Sequence, residues 1–459
     1  MAGLVAWARK GSSLLAAHPA RAVVVAFAVV VLAGAVVLSL PFAAEDGSAT
    51  GFVTALFTST SAVCVTGLAV VDTGTYWSGF GEGVILVLIQ VGGFGIMTMA
   101  SLLALLVSGR LRLRMQLTAQ AETRSLGIGD VRRVLLGVAG TTLIVELAVG
   151  AVLALRFRYG YGEDFGSSVY LGYFHAVSAF NNAGFGLHAD SLTRYAQDAW
   201  VTLPIAAAVI LGGIGFPVLL ELLRHRHRRR TTGRRNWTLH TKLTLITTAV
   251  LLAAGTVLTC LLEWSNPGTL GPHTAAGKIL DGFFHSAMSR TAGFNSLDMG
   301  ALHASTLLMT CVLMFIGGGS AGTAGGIKVT TFAVLLAAII AEVRGEPNSA
   351  VLGRRLAPHA LRQALTVALL GVGLVIASTL ALLSLTEARL EVVLFEVVSA
   401  FATVGLSTGI TADLPTVGQL LLIGLMFIGR LGPITLVSAL ALRERTRRYE
   451  LPEERPVVG

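Results

Sequence analysis

Residues 57–68 read FTSTSAVCVTGL, a short apolar stretch that runs into a turn centred on Gly67. The pattern returns at 174–185 (FHAVSAFNNAGF), 284–294 (FHSAMSRTAGF) and 395–406 (FEVVSAFATVGL), with its glycine at Gly184, Gly293 and Gly405. Intervals of 117, 109 and 112 residues between these glycines mark an internal repeat, which has to be understood before any local feature. A full-length hydrophobic segment lies on either side of each copy. Four copies of span, half-length helix, turn and span in one chain describe a pore with pseudo-fourfold symmetry.

Working outward, composition names the solvent. The chain has 459 residues, 54% hydrophobic and 13% charged, with a mean hydropathy of +0.75. A soluble domain could not hide that much apolar surface, so most of it must face a bilayer. Apolar stretches near 23–40, 84–107, 135–155, 199–220, 243–262, 364–385 and 420–442, with a glycine-interrupted one at 307–340, give eight spans, two per repeat. The first is too long for a cleavable signal peptide and no small-x-small site follows it. The expected fold class is an all-α polytopic membrane protein, four repeats around one central pore, with eight full spans and four re-entrant loops.

Charge sets the expected sidedness. The net charge is +9, yet 26 of the 34 lysines and arginines fall in the N-terminus, the C-terminus and alternate loops. By the positive-inside rule those segments are cytoplasmic, including both termini, and this distribution argues against a nucleic-acid partner. The expected division is a cytoplasmic N-terminus (1–22), repeat 1 (23–107), a linker (108–134), repeat 2 (135–221) and a basic linker (222–242). Repeat 3 (243–341) carries an intramembrane segment at 315–328; a linker (342–363), repeat 4 (364–442) and a cytoplasmic C-terminus (443–459) follow. Glu45, Asp46, Asp72, Glu163, Asp164, Asp190 and Asp298 fall mainly outside, either drawing cations weakly or lying in ordinary solvated loops. Trp77, Trp200 and Trp264 fall at outer span ends and Trp7 and Trp237 at inner ones, as an aromatic belt requires.

The half-length segments decide function. About 10 residues of helix reach only about 15 Å, so the chain must turn back within the membrane. Non-helical backbone there is tolerated only when buried in protein or lining water. Carbonyls freed from helical pairing can replace the hydration shell of a cation, and glycine supplies the conformations that align them. The expected potassium ligands are the backbone carbonyls of Val65, Thr66 and Gly67; Asn182, Ala183 and Gly184; Thr291, Ala292 and Gly293; and Thr403, Val404 and Gly405. Each helix aims the negative end of its dipole at the ion.

The repeat is informative where it breaks. The third motif is one residue shorter and carries Arg290, which must point away from a cation path and support the filter, with Glu396 or Glu146 as possible partners. His175 and His285 share a helix-start position without further metal ligands and read as packing or capping groups; no resident metal is expected. Cys64, Cys260 and Cys311 give no disulfide framework. Glycine clusters in the second spans of repeats 1, 2 and 4 read as close-packing sites. In repeat 3, Gly317, Gly318, Gly319, Ser320, Gly322, Thr323, Gly325, Gly326 and Lys328 form a candidate gate, because a helix through them would overrun the bilayer. Arg430, in the last span, either sets the charge of the pore cavity or locks the gate through its carbonyls.

In order along the chain, SAVCVTGL, SAFNNAGF, SRTAGF and SAFATVGLS, with GTAGGIK and FIGRLGP, resemble the Trk/Ktr/HKT superfamily of potassium transporters, most closely the membrane subunit of Ktr systems. The resemblance covers nearly the whole chain. It implies a homodimer in the cytoplasmic (inner) membrane, one pore per protomer, on a KtrA-like cytoplasmic ring of subunits that bind ATP or ADP and control the third-repeat segment. It also implies that glycine at position 67 goes with potassium and serine with sodium permeation. Ktr systems are often sodium-stimulated, but no residue here establishes sodium coupling. The basic loop around Arg224–Arg235 suits either such a ring or anionic membrane lipid. No Walker-type phosphate loop is present, so this chain has no nucleotide cofactor of its own. The rival readings are a stand-alone Trk-type or sodium-permeable transporter, an alternating-access solute transporter and an intramembrane enzyme. The last lacks clustered acids and histidines at membrane depth.

Overall fold

A computed structural model describes residues 19–116, 128–223, 237–346 and 348–432. The basic runs predicted within 108–134 and 222–242, the extreme N-terminus and the C-terminus lie largely or wholly outside the described residues. The chain is predominantly helical. Repeat 1 supplies α1 (Pro19–Leu38), α2 (Phe52–Val63) and α3 (Gly79–Gln116), and repeat 2 supplies α4 (Ile128–Gly160), α5 (Phe165–Phe180) and α6 (Ala199–Ile214). Repeat 3 contributes α7 (Leu239–Glu263), α8 (Ala275–Met288), α9 (Ala304–Phe315) and α10 (Val329–Val343). Repeat 4 contributes α11 (Pro358–Leu383), α12 (Leu390–Phe401) and α13 (Thr416–Leu431). A two-residue hairpin, β1 (Ala350–Val351) with β2 (Arg354–Arg355), precedes α11.

Among the described residues, Leu135–Gly160, Leu239–Glu263 and Pro358–Leu383 are each long and apolar enough to cross a membrane. The pair Ala199–Ile214 and Phe216–Leu223, bent by 101°, adds a fourth if it is one span. The short helices begin with good caps where polar residues precede them: the Asp164 carboxylate accepts from Ser167 N–H and the Thr274 hydroxyl from Gly277 N–H. The phenylalanine that opens each motif is an anchor. Phe57, Phe174, Phe284 and Phe395 are at most 1% exposed.

Packing closes the four units into a cycle. The short helices α2, α5, α8 and α12 each pack on the long helix before them, α1, α4, α7 and α11. The helix leaving each unit then leans on the short helix of the next: α3 on α5, α6 on α8, α9 on α12 and α13 on α2. In three units glycines also bring the outgoing helix against the short helix of its own unit. A Cβ on Gly92 would lie 2.0 Å from the Val63 carbonyl oxygen, on Gly212 1.9 Å from that of Phe180, and on Gly429 1.8 Å from that of Phe401. Backbone cannot yield as a flexible side chain can, so Gly429→Ala should destabilise the fold by about 1–3 kcal/mol. Thermal unfolding of the detergent-solubilised protein checks this; an unshifted midpoint would contradict the contact.

Two spans differ from expectation. The stretches 199–220 and 420–442 read as continuous, with glycines serving only to pack. In fact α6 stops at Ile214, where Gly215 adopts φ +101°, and α13 stops at Leu431, where Gly432 adopts φ +82°. The cause at Gly215 is tertiary: a Cβ there would sit 2.3 Å from the Ser320 carbonyl oxygen, so the segment between α9 and α10 occupies the space the helix would need.

Candidate functional site

The four glycine turns meet in a ring. A Cβ on Gly67 would fall 2.4 Å from the Ala183 carbonyl oxygen, on Gly184 2.7 Å from Ala292, on Gly293 2.4 Å from Val404 and on Gly405 2.1 Å from Thr66. Each glycine thus lies against the carbonyl preceding the next glycine, and the fourth contact returns to the first turn. Only a residue without a side chain permits this approach.

The backbone within each turn alternates in hand. Two residues before each glycine, Val65, Asn182, Thr291 and Thr403 have φ of 55°, 60°, 82° and 48°, and the glycines have φ of 89°, 71°, 69° and 96°. Three of those four non-glycine residues are β-branched, for which positive φ is a real outlier. Such strain persists only when the surroundings over-determine it. Here the short helices supply the restraint. The N–H groups of Thr66, Ala183 and Val404 donate back to the Ser61, Ser178 and Ser399 carbonyls at 2.7, 2.7 and 2.9 Å. The Ser61 and Ser399 hydroxyls accept from Gly67 and Gly405 N–H at 3.0 and 3.1 Å. The shorter third turn bonds instead to Met288, from Ala292 N–H at 3.0 Å and Gly293 N–H at 3.4 Å.

The N–H groups turn back, and the Thr66, Ala183, Ala292 and Val404 carbonyl oxygens lie against the glycines of the neighbouring turns. Of the twelve ring residues, Ala292 accepts from Phe294 N–H at 3.0 Å, and the other carbonyls accept no hydrogen bond among the described residues. The eight non-glycine ring residues are all buried. Buried carbonyls are nearly always satisfied, so this concentration of oxygen without donors is what a dehydrated cation would match.

The segment Ile316–Lys328 crosses beside the ring. Its neck is closed by Gly317 N–H to Ile327 carbonyl at 2.9 Å and Ile327 N–H to Phe315 carbonyl at 3.0 Å. Gly319 and Thr323 N–H groups donate to Gly213 and Gly212 carbonyls at 2.8 and 3.1 Å. Gly325 approaches the fourth turn so closely that a Cβ would be 2.0 Å from the Thr403 hydroxyl oxygen. Among the described residues, the buried Arg290 and Arg430 and the half-buried Lys328 each hold a segment carbonyl. Arg290 donates to Gly317 at 3.1 Å and to Thr248 at 3.1 Å, and Lys328 to Ala324 at 2.6 Å. Arg430 donates to Thr323.

Neither acid considered for Arg290 is its partner. Glu146 accepts from Asn181 at 3.1 Å and Gln90 at 3.3 Å, while Glu396 takes the hydroxyls of Ser407, at 2.9 Å, and Thr411. A fixed carbonyl dipole replaces the expected ion pair. His175 lies 2.8 Å from the Leu171 carbonyl and His285 2.9 Å from the Thr310 hydroxyl. Several of the acids expected outside are held locally: Asp72 accepts from Thr75 N–H at 2.9 Å, Asp298 from Gly300 N–H at 2.9 Å, and Asp190 pairs with Arg194 at 2.7 Å. The Ser167 hydroxyl and N–H hold the exposed Asp164 carboxyl below its ordinary range.

Sequence reasoning passed over Ser61 and Ser399, although the Ser-Ala pair recurring in all four motifs was a usable signal. Gly212 and Gly213 stood out only as part of a close-packing cluster, and the Thr248 carbonyl carried no signal of its own.

Apolar helices around a ring of carbonyls, nearly all without donors among the described residues, are what a membrane protein handling cations requires. The chain belongs to the TrkH family of cation transport proteins, whose pattern matches residues 2–447. It is 39% identical to the Ktr system potassium uptake protein B of Bacillus subtilis, over 94% of this chain and 95% of that one. Identity is also 39% to the protein of the same name from Vibrio alginolyticus, over 96% and 94% of the two chains. The potassium/sodium uptake protein NtpJ of Enterococcus hirae is 33% identical over 96% and 97%. The crystal structure of the potassium transporter TrkH from Vibrio parahaemolyticus shares the fold, with a TM-score of 0.66 at 19% identity over 92% of this chain and 84% of that one.

Proposed function

We propose that this chain takes up potassium through the glycine ring, driven by the membrane potential and gated by Ile316–Lys328. The observation that carries the reading is the closed cycle of contacts from Gly67 to Ala183, Gly184 to Ala292, Gly293 to Val404 and Gly405 to Thr66. It lines a single path with carbonyls of which only that of Ala292 accepts a hydrogen bond among the described residues. The names of the relatives at 39% identity support potassium as the ion.

In this reading each repeat crosses the membrane twice, making eight spans and four re-entrant loops in the cytoplasmic membrane with both termini inside. Three of the eight, Leu135–Gly160, Leu239–Glu263 and Pro358–Leu383, are long apolar helices among the described residues, and three others are interrupted near Gly215, Gly317 and Gly432. The relatives' naming as parts of a Ktr system supports partner subunits; a homodimer on a ring of nucleotide-binding subunits would act by moving the 316–328 segment. ATP or ADP belongs to that partner. A second reading, in which sodium also passes, is favoured by the 33% identity to a potassium/sodium uptake protein.

Rubidium flux into proteoliposomes tests both. An inside-negative potential contributes about 2.3 kcal/mol per charge per 100 mV, so rubidium should accumulate about 50-fold at equilibrium at that voltage. Excess potassium should compete and excess sodium should not. Equal competition by sodium selects the second reading, and no rubidium or potassium flux sinks both.

A further inference from the structure

Thr323 is held at all three of its polar groups. Its N–H donates to the Gly212 carbonyl at 3.1 Å, and its carbonyl accepts from Arg430 Nη1. Its hydroxyl donates to Asn182 Oδ1 at 2.9 Å, with the Phe180 carbonyl at 3.3 Å. Asn182 then donates sideways, Nδ2 to Thr291 Oγ1 at 3.4 Å. Asn182 is 1% exposed, and Thr291 and Thr323 are fully buried.

Asn182 and Thr291 are also the residues at positive φ two places before their glycines. Asparagine tolerates that conformation and a β-branched residue does not. One amide therefore braces two adjacent quarters of the ring and touches the mobile candidate at the same time. The matching positions cannot do this: Val65 has no polar side chain, and the Thr403 hydroxyl has no partner among the described residues.

We propose that Asn182 is a positioning residue that couples the 316–328 segment to ion discrimination in the ring. This rests on reading the ring as the ion path and the segment as its gate. Ions pass while the segment is only partly withdrawn and this bond persists; at full withdrawal the Thr323 hydroxyl leaves Asn182 Oδ1. The amide is then free to rotate, its hold on Thr291 loosens, and the Ala183 and Ala292 carbonyls lose their fixed spacing. Ion preference is therefore sharpest while the Thr323–Asn182 bond is made.

Thr323→Val keeps the shape and both backbone tethers and removes only the hydroxyl. In proteoliposomes under an imposed potential, it should lower the rubidium-to-sodium flux ratio about tenfold, the order expected for one buried hydrogen bond. Thr323→Ser, which restores the hydroxyl, should bring the ratio back. Asn182→Ala should lower it similarly, and the double variant should fall no further than either single one, since both remove the same bond. Thermal unfolding confirms that each variant is folded, and Asn182→Ala with its own ratio serves if Thr323→Val is not. An unchanged ratio in Thr323→Val with increased flux would overturn the coupling and leave the gate standing. Multiplicative losses in the double variant would overturn it too. Absence of rubidium flux in the unmodified protein would instead remove the reading beneath it.

Discussion

Gly67→Ser should admit sodium beside potassium, lowering the rubidium-to-sodium flux ratio by about tenfold or more. Gly67 sits at φ +89°, and a Cβ there would lie 2.4 Å from the Ala183 carbonyl oxygen and 3.1 Å from Gly184 Cα. All the obstructing atoms are backbone, so the second turn must move outward to make room. Potassium and sodium differ in radius by a fraction of an ångström, and a displaced carbonyl changes both cavity size and field at the ion. A loss of about 1.4 kcal/mol in discrimination is already tenfold. The strained conformation of a non-glycine residue costs on the order of 1–3 kcal/mol, so total flux should fall as well. Gly47→Ser is the control. Gly47 also has positive φ, +71°, but nothing lies within 4 Å of its would-be Cβ, so its ratio should match the unmodified protein. An unchanged ratio in Gly67→Ser would argue against a carbonyl ring.

Removing residues 320–325 should raise flux by one to two orders of magnitude and abolish its regulation. These residues carry the Thr323 bonds to Gly212, Asn182 and Arg430, and the Lys328 contacts to Ala324 and Gly325. The neck bonds between Gly317, Ile327 and Phe315 are left intact. A hydrogen bond contributes roughly 1 kcal/mol net, so losing two or three shifts a closed-to-open equilibrium by about 30- to 150-fold. Arg430→Gln, which removes one charged donor from Thr323, should show a smaller rise in the same direction. Transport unaltered in both would leave the segment without a gating role.

The ring was legible in the primary structure because symmetry announces itself: four glycines at near-equal intervals need no knowledge of contacts. Helix starts were less legible. The short helices begin at Phe52, Phe165, Ala275 and Leu390, upstream of the phenylalanines that mark the motifs. Asp164 and Thr274 carried ordinary N-cap signals for two of them. The break at Gly215 was hidden for a physical reason, since its cause is a carbonyl of Ser320 from another repeat. The partners of Arg290 were hidden likewise. A carboxylate can be picked out by residue type, whereas the carbonyls of Thr248 and Gly317 are chemically identical to every other carbonyl in the chain.

The cycle of four turns within a single polypeptide has an evolutionary corollary. Where four identical subunits build such a ring, every substitution enters at four points at once and its effect is raised to the fourth power. Here a change at Gly67, Gly184, Gly293 or Gly405 enters at one point alone. Ion preference can therefore drift in quarter steps, and one quadrant can depart from the pattern, as the shorter turn carrying Arg290 does, while the other three keep theirs.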